Sequence, residues 1–356
     1  MTNIYSSLKI FHFKEKLDSL SHDVAEIQAP IHIRIKPTSV CHHNCSYCAY
    51  RSEALQLGKD MQIPDYIPLS KMLEIVDDLA EMGVQAVTFS GGGEPLCYSG
   101  LAEVFRKLIS HGIKFACLTN GSRLESDVAD LLAEHGTWVR VSIDGYDEQS
   151  YMDYRGVAKG EFNRVMQNIE AFAQRKGRCF LGVSFIVDKK NADHVYAFLK
   201  QLKALGVQTV KISPCIISNS GEENNSYHRS IFERVKKQIT KAIDDFACES
   251  FEIYDAYHEL DEKFEKTYDW CPYVQVLPVI GADMRVYTCQ DKAYNLATGA
   301  LGSIADQRFK DFWYANKDVF FSVNPSIHCN HHCVANGKNK QILNYLTADK
   351  EHLAFV

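Results

Sequence analysis

Short apolar segments alternate with amphipathic segments through the first two thirds of the chain. The apolar segments, typical of buried strands, cover residues 31–35, 84–90, 113–118, 138–143, 178–187 and 207–212. Segments with apolar residues at helical spacing lie over residues 71–82, 101–111, 125–135, 162–175 and 192–205, and a glycine follows each within two residues. Strands and helices that alternate in this way form βαβ units. We therefore predict an α/β fold with a partial (β/α)6 parallel barrel.

The pattern changes after a further predicted helix over residues 227–247. Alternating segments at 274–280 and 284–288 then flank a Gly-Ala-Asp turn, which predicts a hairpin. We predict three parts of the chain: a helical lead-in over residues 1–30, the barrel over 31–250 and a small α+β domain over 251–356.

Unusual residues follow the predicted strands. A cysteine-rich loop follows the first strand. The second, third, fourth and sixth strands end at residues 91–95, 119–121, 142–145 and 213–215, which contain glycine, glutamate, asparagine, serine, aspartate and cysteine. In a parallel barrel the carboxyl ends of the strands share one face, and that face carries the chemistry. We expect the functional site there.

Three cysteines, Cys41, Cys45 and Cys48, lie on the first loop at C-x3-C-x2-C spacing. Disulfides would leave one thiol over, and a closed zinc site needs four ligands. A cubane iron–sulfur cluster with three cysteine ligands has one open iron, which can bind a small molecule. A zinc loop that borrows His42 or His43 is the alternative.

These cysteines, with Tyr47 just before the last of them, resemble the signature of the radical S-adenosylmethionine (radical SAM) enzymes. The resemblance implies a [4Fe–4S] cluster on Cys41, Cys45 and Cys48 and S-adenosylmethionine on the open iron. It also implies that a 5′-deoxyadenosyl radical removes a hydrogen atom from the substrate. A partial (β/α)6 barrel is also the core fold of that family.

The resemblance implies S-adenosylmethionine contacts as well. It assigns them to Gly92, Gly93, Glu94, Ser142, Arg155, Tyr47 and Asn120. Among these, Ser142 and Arg155 are expected near the carboxylate or ribose, and Tyr47 near the adenine. For the glycines a tight turn without a ligand is the alternative, and for Arg155 an ordinary salt bridge.

A second cysteine group follows the barrel and consists of Cys271, Cys289, Cys329 and Cys333. Four thiolates suffice to ligate a metal centre completely. The group resembles the short auxiliary-cluster module of radical SAM enzymes, the twitch domain, which implies an auxiliary [4Fe–4S] cluster. The longer SPASM form is disfavoured because no cysteine follows Cys333. A four-cysteine zinc site, or His331 or His332 in place of a thiolate, stays open.

Composition excludes some partners. The net charge of -6 and the pI of about 6.2 predict no general attraction to nucleic acid or anionic lipid. No apolar run is long enough to span a membrane and no signal peptide is visible, so the twelve cysteines indicate a reducing compartment and a cytoplasmic protein.

Enzymes that resemble this layout include dehydrogenases and epimerases of sugar-like alcohols and peptide-modifying enzymes. We expect a dehydrogenase. We expect a small carbohydrate-like substrate rather than a peptide, because no module resembling a leader-peptide-binding domain precedes the first strand. Cys215 would instead be the hydrogen donor of an epimerase. Lys36, Lys211 and Arg140 are candidate base or substrate-binding groups, and a flavodoxin or ferredoxin is the expected electron donor. A zinc-dependent binding protein without redox chemistry is the alternative of another class.

Overall fold

One continuous sheet forms the centre of the molecule. The structure is a computed structural model that describes residues 4–52, 54–55, 57–258 and 263–355. Within these residues ten strands pair in the order β10-β9-β8-β1-β2-β3-β4-β5-β6-β7. The strands are β1 His32–Ile35, β2 Ala86–Phe89, β3 Lys114–Thr119, β4 Trp138–Ser142, β5 Phe180–Val187, β6 Thr209–Pro214, β7 Glu252–Asp255, β8 Val279–Ile280, β9 Arg285–Tyr287 and β10 Ala300–Ser303.

Strands β1 to β7 are all parallel to their neighbours, and helices connect them. The α-helices are α1 Lys14–Asp18, α2 Leu69–Met82, α3 Leu101–Ser110, α4 Ser126–His135, α5 Glu148–Arg155, α6 Glu161–Gln174, α7 Val195–Ala204, α8 Gly221–Arg229, α9 Phe232–Phe246, α10 Phe309–Ala315, α11 Pro325–His328 and α12 Asn336–Leu346. The open, mostly parallel sheet confirms the predicted partial barrel.

The two faces of the sheet differ in chemistry. Ile33 and Ile35 on β1, and Val210 and Ile212 on β6, are fully buried in the main apolar core. The residues between them on the same strands are polar, such as Lys211, because side chains alternate between the two faces of a strand. The apolar face is buried and the polar face lines the lumen of the partial barrel.

The structure departs from the sequence prediction at several places, one of which is helix α5, which was not predicted. A seventh parallel strand, β7, adds to the six that were predicted. The predicted helix over 227–247 is interrupted, since α8 ends at Arg229 and α9 begins at Phe232. Residues Pro272–Gln275 form a 3-10 helix rather than part of a strand, so the hairpin is shorter than predicted.

The C-terminal hairpin continues the barrel sheet. Strand β8 pairs parallel with β1, with Ile35 opposite Ile280, and β9 pairs antiparallel with β8. This pairing places β9, which leads to Cys289, one strand away from β1, with β8 between them. None of the helices in the described residues is long and apolar enough to cross a membrane.

Candidate functional site

The first cysteine loop, which carries Cys41, Cys45 and Cys48, contacts the glycine segment Gly91–Gly93 that follows β2. The Gly93 amide donates to the Thr38 carbonyl (3.1 Å), and the Glu94 amide donates to the Val40 carbonyl (2.8 Å). A Cβ atom on Gly93 would lie 2.2 Å from the Val40 carbonyl oxygen. Only glycine allows this close approach of two backbones. The glycine segment therefore fixes the height of the cysteine loop above the strands.

The Glu94 carboxylate joins the ends of β2 and β3. It is buried and accepts hydrogen bonds from the Thr119 hydroxyl (2.6 Å), the Asn120 amide (2.7 Å) and the Leu96 amide (3.0 Å). Burial raises the pKa of Glu94. Both carboxylate oxygens are thus engaged within the protein, so the side chain positions the strand ends.

Three polar atoms around this face are buried and have no hydrogen-bond partner among the described residues. They are Ser90 Oγ, Asn120 Nδ2 and Arg155 Nε. They lie at the ends of β2, β3 and α5. A buried polar group without a partner costs about 1–3 kcal/mol, so a polar ligand that contacts these atoms would be stabilised. The arrangement fits S-adenosylmethionine, with Asn120 and Arg155 among the residues that the sequence assigned to it.

Arg155 is the centre of a buried network. Its guanidinium donates to the Asp144 carboxylate (2.7 Å), to the Ser142 carbonyl (2.5 Å) and hydroxyl (3.1 Å), and to Cys45 Sγ (3.6 Å). The Tyr47 hydroxyl donates to the same carboxylate. The structure therefore brings together Ser142, Arg155 and Tyr47, three of the residues proposed from sequence as cofactor contacts, and Arg155 connects them to Cys45.

The three cysteines of the loop are partly buried. Burial raises the pKa of Cys41 to about 11 and also raises the pKa of Cys48. These thiols do not belong to either group of potential metal ligands in the described residues whose atoms all lie within 4.8 Å of one another. A single zinc ion binds its sulfur ligands at about 2.3 Å, so the sulfur atoms around it must lie close together. A cubane cluster binds each cysteine at a different iron, so its cysteine sulfur atoms lie farther apart.

His42 and His43 make their contacts elsewhere. The His43 ring nitrogen Nε2 lies 2.9 Å from the Ser122 hydroxyl and 3.2 Å from the Glu161 carboxylate. His42 Nδ1 lies 3.2 Å from Cys97 Sγ. These contacts do not support the zinc loop that was the alternative from sequence.

The second cysteine group converges near the end of β9. The charges of Cys271, Cys329 and Cys333 all act on Cys289, whose pKa is raised mainly by burial. Cys271 Sγ also accepts a hydrogen bond from the Asn339 side chain (3.2 Å). Four thiols that act on one another within a buried volume fit a fully ligated metal centre.

Two further potential ligands lie in the second group. Cys289, Asp291 and His331 offer atoms within 4.8 Å of one another. Burial raises the pKa of Asp291 to about 6. His331 was an open alternative from sequence, whereas Asp291 was missed, because its nearness to the cysteines depends on the tertiary fold.

The Lys36 side chain is committed to the protein. It is fully buried, and its ammonium donates to the Tyr50 hydroxyl (2.6 Å) and to the Gly91 carbonyl. Tyr50 in turn donates to the Gln290 carbonyl (2.9 Å), next to Cys289. Lys36 thus links the first loop, the glycine segment and the second cysteine group, which suits a positioning residue better than a base.

Lys211 lies in the lumen on β6. Burial, followed by the positive charges of Arg140, Lys338 and Lys263, lowers the pKa of Lys211 to about 8. Its ammonium has no hydrogen bond or ion pair with any residue in the described part of the chain.

Cys215 follows β6 on the same face as the first loop. Its thiol is buried, and its backbone is fixed by the Val187 carbonyl (2.9 Å) and by the His228 ring (2.9 Å). Burial, with the charges of Asp188 and Asp144, raises the pKa of Cys215 to about 12. The group is therefore a neutral thiol at physiological pH.

Sequence reasoning missed Asp144. The residue holds Arg155 and Tyr47, and its second oxygen accepts from the Ile186 amide (2.8 Å). The available signal was an Asp-Gly pair directly after a buried strand.

Comparison with known proteins shows which family part of the chain resembles. The model of the Radical SAM superfamily matches residues 35–202. An uncharacterized protein of Archaeoglobus fulgidus is 31% identical over 190 residues, which is 52% of this chain and 43% of that protein. The AdoMet-dependent heme synthase of Methanosarcina barkeri is 25% identical, over 60% of this chain and 58% of that protein. The chain therefore spans about half the length of these two relatives.

A solved structure has the same fold. SuiB of Streptococcus suis, bound to its precursor peptide SuiA, superposes with a TM-score of 0.61 at 15% identity, over 88% of this chain and 72% of that one. The family model covers the first cysteine loop, the glycine segment and strands β2 to β5. Residues 35–202 are therefore a radical SAM domain, and enzymes of the radical SAM superfamily use a [4Fe–4S] cluster and S-adenosylmethionine.

Proposed function

We propose that this protein is a radical SAM enzyme that removes a hydrogen atom from a small polar substrate and returns a hydrogen atom from Cys215. The reaction is then an epimerisation. The observation that carries the proposal is the neutral, buried thiol of Cys215 on the face where the first cysteine loop lies. The polar lumen supports a polar substrate.

Cys41, Cys45 and Cys48 would hold the [4Fe–4S] cluster. Gly92, Gly93, Asn120, Ser142 and Arg155 would contact S-adenosylmethionine, with Glu94 and Tyr47 in supporting positions. When bound there, the cofactor supplies the 5′-deoxyadenosyl radical that removes the substrate hydrogen.

Residues beyond the barrel would form a twitch-like domain. Cys271, Cys289, Cys329 and Cys333 would hold an auxiliary [4Fe–4S] cluster, and Asp291 and His331 lie close enough to replace a ligand. The auxiliary cluster would pass electrons at a distance from the substrate carbon.

Cys215 provides the returning hydrogen atom. The substrate carbon loses hydrogen on one face and accepts it from the S–H bond on the other, which leaves a sulfur-centred radical on Cys215. One electron and one proton restore the thiol. Each turnover thus consumes one S-adenosylmethionine, two electrons and one proton, and it yields methionine, 5′-deoxyadenosine and the inverted product. A reduced flavodoxin or ferredoxin would supply both electrons.

Net dehydrogenation, the reaction favoured by sequence, is the second candidate. It requires a base to take the hydroxyl proton, and Lys211, with a pKa lowered to about 8, is suited to that role. The auxiliary cluster would then accept the second electron.

One variant separates the two reactions. With Cys215→Ala, an epimerase loses formation of the inverted product but still makes 5′-deoxyadenosine, whereas a dehydrogenase keeps making ketone. The measurement is anaerobic turnover of a panel of sugar-like alcohols with dithionite, with mass spectrometry of the products in deuterated water. We expect the wild type to incorporate solvent deuterium into the product and Cys215→Ala to lose this incorporation. Unchanged ketone formation by Cys215→Ala would contradict the proposal. Cys248→Ala, at an exposed thiol, is the matched control.

A further inference from the structure

Positive side chains gather in the barrel lumen although the whole chain has a net charge of -6. Arg140 on β4 lies opposite Gly182 of β5, and Lys211 on β6 lies opposite Ser184 of β5. Gly182 has no side chain to separate the two cations, and Arg140 Nε is 3.6 Å from the place where its Cβ would be. Two cations thus lie across a single intervening strand.

Neither cation has an acidic partner in the described residues. The Arg140 guanidinium donates to the Tyr5 hydroxyl (3.0 Å), a neutral group, and its Nε atom is buried without a hydrogen-bond partner. Its remaining close contacts are the aromatic rings of Tyr5 and Trp138. Lys211 has no hydrogen bond or ion pair there at all.

The charges that act on Lys211 are all of its own sign. After burial, the groups that lower its pKa are Arg140, Lys338 and Lys263, and no carboxylate opposes them. Buried or half-buried like charges without a counter-charge are costly, and an anionic ligand that supplies the counter-charge would lower that cost.

The metal centres do not account for these cations. Lys266, for comparison, is held near the second cysteine group, and the charges of Cys333, Cys329 and Cys289 act on it. None of those thiols is among the groups that act on Lys211. Arg155, on the other hand, occupies the side of the lumen near the first cysteine loop.

We propose that Arg140 and Lys211 form a binding site for an anionic group of the substrate, either a carboxylate or a phosphate. The inference rests on the proposed function, since it assigns the substrate class for that same site. A guanidinium and an ammonium on neighbouring sides of one strand suit an oxyanion, because both donate charge-assisted hydrogen bonds to it.

The position of the site also orients the substrate. Lys211 lies on β6 and Cys215 directly follows its last residue, Pro214, so the two are four residues apart, or about 13 Å for an extended chain. The anionic group would therefore lie deeper in the lumen than the carbon that exchanges hydrogen. An anion on Lys211 would also keep its ammonium protonated, which favours epimerisation over a reaction that uses Lys211 as a base.

Equilibrium binding of inorganic phosphate, and separately of malonate, to the anaerobically reconstituted protein tests this site. The wild type should bind at least one of the two at constant ionic strength, and which one it prefers distinguishes a phosphate from a carboxylate. Lys211→Gln should weaken binding about tenfold, because one charge-assisted hydrogen bond is lost. Lys211→Arg should retain binding, and Lys200→Gln, at an exposed helix position, is the matched control.

Equal binding by the wild type and Lys211→Gln, or no binding of either anion by the wild type, would overturn the inference. Loss of S-adenosylmethionine affinity in Lys211→Gln by the same factor would also overturn it, since the cation would then serve the cofactor. Formation of 5′-deoxyadenosine tests the proposed function separately. Anion binding without 5′-deoxyadenosine would refute that function and leave the anion site in place.

Discussion

At the scale of single residues, Asp144 and Arg155 determine the shape of the cofactor face. Both side chains are buried, at 1% and 5% exposure, and they form a 2.7 Å ion pair. Of the remaining guanidinium nitrogens, Nη1 donates to Cys45 Sγ, and Nε is buried without a hydrogen-bond partner in the described part of the chain. A buried charge that loses its partner is strongly destabilising, so the pair is expected to tolerate little change.

Asp144→Asn tests this pair. The substitution removes the counter-charge of Arg155, so the free energy of unfolding should fall by about 3 kcal/mol and S-adenosylmethionine should bind more weakly. Chemical denaturation and equilibrium dialysis measure the two effects. Asp245→Asn, which removes an exposed pair with Lys241, should change neither. An Asp144→Asn variant with wild-type stability and cofactor affinity would contradict the assignment.

At the scale of secondary structure elements, the contact between the glycine segment and the cysteine loop is a backbone-on-backbone contact. A Cβ atom on Gly93 would meet Val40 and Ser39 backbone atoms at 2.2–2.7 Å, which neither segment can avoid by moving a side chain. The loop that carries Cys41 would have to move.

Gly93→Ala should therefore cost about 1–3 kcal/mol of stability and reduce iron incorporation at the first loop. Iron and sulfide analysis after anaerobic reconstitution, with thermal unfolding, measures both. Gly337→Ala is the control, because nothing lies within 4 Å of a Cβ atom at that position. Full iron content in Gly93→Ala would show that the loop does not depend on this contact.

The elements also show how far sequence patterns reach. Strands β1 to β6 were predictable because their buried faces carry isoleucine, valine and phenylalanine at alternate positions. Helix α5 was missed because its residues are mostly polar, with only Tyr151 and Tyr154 directed to the core. Strand β7 was missed because it ends in tyrosine and aspartate at the edge of the sheet.

The residues of the site also divide into those that local sequence patterns predict and those that they do not. Cysteine spacing, glycine runs and strand-end residues are local signals, and they located the first loop, Arg155 and Cys215. Asp144, Asp291 and the Lys36–Tyr50–Gln290 chain join residues far apart in sequence. Such contacts depend on strand order and register, which local patterns do not specify.

At the scale of the whole molecule, one sheet connects the two cysteine groups. Strand β1 leads into the first loop, and its neighbour β8 belongs to the hairpin that ends at Cys289. The two groups nevertheless draw their thiols from separate segments. Each should therefore assemble its own metal centre.

Removing either group should then remove only its own iron. The wild type should hold about eight irons per chain, and the double variant Cys329→Ala/Cys333→Ala about four, with 5′-deoxyadenosine formation retained. Cys45→Ala/Cys48→Ala should also hold about four but form no 5′-deoxyadenosine. Iron analysis and chromatography measure these quantities. Zinc in place of iron in the Cys329→Ala/Cys333→Ala variant would indicate that Cys41, Cys45 and Cys48 form a structural zinc site instead.

We propose that Cys41, Cys45 and Cys48 hold a cluster with one iron open to the cofactor. Electron paramagnetic resonance of the Cys329→Ala/Cys333→Ala variant, reduced with dithionite in the absence and presence of S-adenosylmethionine, tests this. We expect a [4Fe–4S]+ signal whose g values shift when S-adenosylmethionine is added. A signal that the cofactor leaves unchanged, or a sample without a reducible cluster, would contradict it.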